Sequence, residues 1–147
     1  MLFFCGETIT STTAINIHER VASYGIEHLY YYNNSKLGTV NASAGEYIEY
    51  AFGFYGVYPT VSGQTQATYS NMKSDIDNGS LLYLMLKGHE TYENHHVVAY
   101  AYTQLKHVSS NIYAEFVKIC DCYSESGKRY VDIDVLTSSD KYWEVNF

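Results

Sequence analysis

Proline is almost missing from this chain, at one in 147 residues, and cysteine is scarce at three. An odd number of thiols excludes a disulfide framework. Cys120 and Cys122 would lie on one face of an extended segment, about 7 Å apart at the alpha carbons, which strains a bridge. Charge is low at 17%, and its basic half is the smaller, with 9 Lys and Arg against 16 Asp and Glu. The net charge of −7 argues against nonspecific binding to nucleic acid or to an anionic membrane. No apolar run approaches the roughly 18–20 residues of a spanning helix. The opening MLFFCGETIT has no basic region and too short an apolar stretch for a signal peptide, so a cytoplasmic location is favoured.

What the chain does have is a full apolar complement, 46% of residues, and 17 tyrosines. That composition excludes intrinsic disorder. The length fits a single domain over residues 1–147, large enough for a core without staples. Apolar spacings of three and four predict helices over 8–24, 44–55 and 67–77, with a short aromatic piece at 26–32. Pro59 and Gly63 mark a loop between the last two helices. Beyond Gly79 the pattern changes to short runs rich in Val, Ile and Tyr at 80–87, 95–103, 112–120 and 129–135, with a closing strand at 141–147. Helices first and strands second indicate an α+β fold. The helical part covers about 5–78 and packs on a mostly antiparallel sheet over about 79–147.

The two central strands read as a hairpin centred between His107 and Val108. Antiparallel pairing about that centre sets His95 opposite the neighbourhood of Cys120 and Asp121. A histidine beside an aspartate suits an imidazole oriented by a carboxylate. Such a base needs a nucleophile, and Cys5 is the only thiol outside the hairpin. It precedes the first predicted helix, where the helix dipole and a nearby imidazolium lower a thiol pKa.

Three stretches carry a family resemblance: Ile76-Asp77-Asn78-Gly79-Ser80-Leu81-Leu82-Tyr83-Leu84, Asn94-His95-His96-Val97-Val98-Ala99-Tyr100-Ala101-Tyr102, and Val117-Lys118-Ile119-Cys120-Asp121. Together they resemble a papain-like cysteine peptidase, similar to bacterial domains of the bacteriocin-leader-processing type. The resemblance implies a papain-like fold and places His95 as the catalytic histidine, Ala101-Tyr102 as the Gly-Tyr pair, and Asp121 as the residue orienting His95. It covers residues 76 to about 133. Cys5-Gly6-Glu7-Thr8 matches three of four positions of the Cys-Gly-Pro-Thr-like motif that opens with the family's nucleophile. A second register, in which residues 12–17 are the helix body, puts Ile9 in the nucleophile position instead. The family's oxyanion glutamine precedes its cysteine, whereas the first glutamine here is Gln64. Loss of such a donor costs on the order of 100–1000-fold in rate.

Two functional readings follow. One is a thiol hydrolase cleaving a peptide or related acyl bond, with Cys5, His95 and Asp121 as its triad. The other is an inactive relative serving as a protein-binding or inhibitory module. No cofactor and no metal are expected. His89, His95, His96, Cys120 and Cys122 match no zinc spacing, and neighbours such as His95 and His96 point to opposite faces of a strand. His18 and His28 read as solvated helix residues. The acidic pairs Glu90/Glu93 and Asp132/Asp134 read as exposed charge. Tyr30-Tyr31-Tyr32 with Phe52, Phe54, Tyr55 and Tyr58 forms an aromatic set suited to a peptide or protein partner. Oligomeric state is left open.

Overall fold

A computed structural model of the chain describes residues 44–121 and 129–147, together with the isolated positions Asn16 and Glu19, both helical and exposed. The elements follow in the order α1 (Ala44–Gly53), β1 (Thr60–Gln66), α2 (Tyr69–Asp77), β2 (Leu81–His89), β3 (Glu93–Lys106), β4 (Tyr113–Cys120) and β5 (Arg129–Asp132), then a 3-10 turn (Ile133–Val135) and β6 (Lys141–Asn146). The chain divides into two compact units. Ser62–Asn146 forms one, and α1 belongs to the other, which runs to Val61 and includes Phe147.

The six strands form one sheet in the order β1-β6-β2-β3-β4-β5. The pairs β2–β3, β2–β6, β3–β4 and β4–β5 are all antiparallel. Cross-strand partners share a face, so Leu82, Leu84 and Leu86 line up with Ala99, Val97 and His95. That face carries the main core, where Met72 of α2 joins Leu82, Leu84, Leu86, Val117 and Ile119. The opposite face buries Leu81, Met85, Trp143 and Val145. Burial on both faces explains why β2 reads as a nearly unbroken apolar run, SLLYLMLK with its preceding serine.

Helix α2 starts at Thr68, whose hydroxyl accepts from Asn71 N at 3.3 Å. It stops where Gly79 turns left-handed at φ 92°. Two tyrosines of the sheet fasten it: Tyr142 Oη donates to Asp75 at 2.6 Å and Tyr102 Oη to Asp77 at 2.6 Å. In the other unit, α1 buries Ala44, Ile48 and Phe52 at four-residue spacing, and Phe52 meets the Phe147 ring at 5.0 Å.

The expected α+β, papain-like arrangement of a helical N-terminal half over a C-terminal sheet is overturned. Among the described residues 48% are strand against 24% helix, with two α-helices. The telling segment is β1, which lies inside the span expected to be helical and was expected as a loop. Its sequence TVSGQTQ is polar and its burial pattern is mostly exposed or intermediate. An edge strand of this kind never develops the apolar alternation that betrays a strand. The closing strand expected at 141–147 exists as β6, but between β1 and β2, inside the sheet. The expected strand at 129–135 stops at Asp132, whose carboxylate accepts from Asp134 N at 3.0 Å and starts the 3-10 turn. The helix expected over 8–24 and the aromatic piece at 26–32 lie outside the described residues, Asn16 and Glu19 excepted.

Candidate active site

His95 enters the sheet near the start of β3, opposite Leu86 of β2. The hairpin β3–β4 pairs Val98 with Cys120 and Lys106 with Tyr113, so its centre lies near Ser109, not between His107 and Val108. One extra residue in β3, Tyr100, makes a bulge between Ala99 and Ala101. His95 sits three residues beyond the last ladder pair, Val98 with Cys120, near the residue that follows β4. There its Nε2 meets the main-chain oxygen of Asp121 at 3.0 Å. A carbonyl only accepts, so in the neutral ring Nε2 carries the proton and Nδ1 keeps the lone pair. This contact makes Nδ1 the basic nitrogen of the ring.

The carboxylate of Asp121 points elsewhere. Its Oδ2 accepts from Tyr92 Oη at 3.0 Å and pairs with Arg129 Nε at 3.0 Å. Asp121 is fully buried, at 0% exposure, so both partners offset the cost of taking its charge out of water. Burial first, then the hydrogen bond to Asp121, holds the Tyr92 phenol above its ordinary pKa, so it stays a donor at neutral pH. The Tyr92 ring also stacks on His95, with centroids 6.0 Å apart and planes 14° from parallel. Tyr92, His95 and Asp121 thus form a closed triangle across two strand ends.

The turn that builds this corner is held by side chains. His89 Nδ1 accepts from Thr91 N at 3.1 Å and Tyr92 N at 3.3 Å, and Asn94 Oδ1 accepts from Gly88 N at 3.1 Å. Gly88 takes φ 68° at the bulge in β2. Glu93, two residues before His95, has φ 52°, a left-handed conformation that costs a non-glycine residue on the order of 1 kcal/mol. The backbone is thus bent unfavourably just where the histidine is aimed.

Of the residues singled out in the sequence, His95 and Asp121 are brought together, through a main-chain oxygen instead of a carboxylate. Cys5 and Ile9, the alternatives at the nucleophile position, lie outside the described residues, as do His18, His28, Cys122 and Tyr30-Tyr31-Tyr32. Cys120 stands opposite Val98 with its thiol unbridged. His96 faces away from His95 and stacks on Tyr83 at 4.9 Å. No cluster of three His, Cys, Asp or Glu side chains suited to a metal occurs among the described residues. No helix among them is long and apolar enough to cross a membrane. Tyr92 and Arg129 were not singled out in the sequence. Arg129 lies eight residues beyond Asp121, and the β4–β5 pairing, which sets it opposite Ile119, brings it near. No family model, curated protein or solved structure matches the chain.

Proposed function

We propose that the chain is a thiol hydrolase acting on a peptide or related acyl bond, with Cys5 as nucleophile, His95 as base and Asp121 as the group that orients His95. The observation that carries the reading is the 3.0 Å contact between His95 Nε2 and the Asp121 main-chain oxygen. It leaves Nδ1 as the nitrogen able to take a thiol proton. The imidazolium formed there would stabilise a thiolate, and would later protonate the leaving amine. Orientation by a carbonyl fixes the tautomer as well as a carboxylate does, but supplies less negative charge to steady the imidazolium.

A second reading, a catalytically inactive module that binds a protein partner, has one observation in its favour. The Asp121 carboxylate is already engaged by Tyr92 and Arg129, as a structural corner would require. Iodoacetamide alkylation between pH 5 and 9, with Cys5 followed by mass spectrometry, separates the two. Hydrolase chemistry predicts fast alkylation of Cys5 at pH 6, slowed about tenfold or more in His95→Ala, because the thiolate needs the imidazolium. A Cys5 that reacts only as pH nears the ordinary thiol value of about 8.5, with or without His95, defeats the hydrolase and leaves the binding module.

A further inference from the structure

Helix α1 carries a second face that the chemistry at His95 does not use. Its buried stripe is Ala44, Ile48 and Phe52. The outward stripe, at helical spacing, is Glu46, Glu49, Tyr50, Gly53 and Phe54, and with Tyr58 it lines a groove of about 490 Å³. Tyr50 and Phe54 meet edge to face at 4.9 Å. Tyr58 leaves 80% of its surface in water. A Cβ added to Gly53 would stand 3.8 Å from Tyr58 Cε1, so bare backbone and the Tyr58 ring border the same space.

The two carboxylates set the chemistry of an occupant. Glu46, in the first turn, also suits the helix dipole, whereas Glu49 lies in mid-helix and has no such reason to be there. Neither is in an ion pair with a basic side chain among the described residues. Aromatic faces attract cations through their quadrupole, and arginine adds a flat guanidinium that stacks on a ring while its fork reaches carboxylates. A net charge of −7 draws a cationic partner in from a distance.

We propose that this acidic, aromatic groove on α1 is a docking site for an arginine-bearing segment of a cationic peptide or protein. The guanidinium lies against Tyr58 and Tyr50 while Glu46 and Glu49 take its charge. The inference stands apart from the proposed hydrolase and survives or fails without it.

Fluorescein-labelled hexa-arginine, followed by anisotropy at physiological salt, is the probe. Saturable binding is expected, tighter than that of hexa-lysine. Tyr58→Ala changes no charge and sits at an exposed position, and it should weaken binding roughly 2- to 5-fold. The double variant Glu46→Gln/Glu49→Gln should weaken it by about fivefold. The control Glu90→Gln/Asp134→Asn removes the same charge elsewhere and should change binding less than about twofold. Equal loss in control and groove variants would reduce the effect to general attraction and overturn the site. So would an unchanged Tyr58→Ala, or a titration that never saturates. Sedimentation that shows self-association lost in Tyr58→Ala, with no hexa-arginine bound, would give the groove to a second copy of the chain.

Discussion

His95 and His96 are neighbours in sequence and opposites in environment. His95 has a carbonyl on Nε2 and stacks on Tyr92. His96 lies flat on Tyr83, 7° from parallel, with Trp143 at 6.1 Å, and its buried Nε2 has no hydrogen-bond partner among the described residues. Burial, and then the nearby charge of His95, holds the His96 pKa below its ordinary value. The sign follows directly. Above pH about 6.5 the ring is neutral in both folded and unfolded chains and has no effect. As pH falls from there toward the lower folded value, the unfolded chain takes up the proton first and stability drops. His96→Phe keeps an aromatic ring against Tyr83 but cannot titrate. Its unfolding midpoint should fall less than that of the unchanged protein between pH 7.5 and 5.5, and parallel losses would remove His96 as the cause. The opposite facing of the two histidines was readable from strand periodicity alone. That His95 is the one beside Asp121 was expected from the hairpin; by which atom they meet was not, because a main-chain oxygen leaves no mark in the sequence.

Between elements, short buried polar contacts fix positions that apolar packing leaves loose. Asp140, 3% exposed, lies just before β6. Its carboxylate accepts from Lys87 N of β2 at 2.7 Å, and from Thr137 N and Oγ1 at 2.6 and 2.9 Å. It therefore joins the end of the β2 ladder to the turn that launches β6. Asp140→Ala would leave these donors without their acceptor and cost roughly 2–3 kcal/mol, read as a lower urea midpoint. A change under about 0.5 kcal/mol would show that water replaces the carboxylate at no loss. Nothing around Ser138-Ser139-Asp140 marks this role, because a turn aspartate looks the same whether solvated or buried. Helices α1 and α2 were readable because apolar residues recur in each at helical spacing, although Thr68, inside the helix expected over 67–77, proves to be its cap. Strand β1 was not, because a polar edge strand and a loop share a composition. The hairpin β3–β4 was readable in kind but not in register, since β3 runs on to Lys106, past the end of the run expected over 95–103, and moves the turn with it.

At the scale of the molecule, local patterns located most strands but, apart from the β3–β4 hairpin, not their neighbours. Alternation along a strand records which face is buried and is silent on which edge is paired. That is why β6 could be expected as a closing strand and yet lie between β1 and β2. Its interior place has a consequence for synthesis. A ribosome delivers β2 first, and β3 can pair with one edge soon afterwards. The other edge must wait for residues 141–146, because its partners run from Lys141 opposite Met85 to Val145 opposite Leu81. During that wait the most apolar strand among the described residues offers a bare edge to any passing chain. Nascent chains arrested before Lys141 leaves the exit tunnel should be cut by protease within β2. Chains arrested after β6 has emerged should resist there, and equal resistance at both points would mean that β2 is shielded by something else. The growing polypeptide thus carries an aggregation hazard at β2 until β6 arrives to cover that edge.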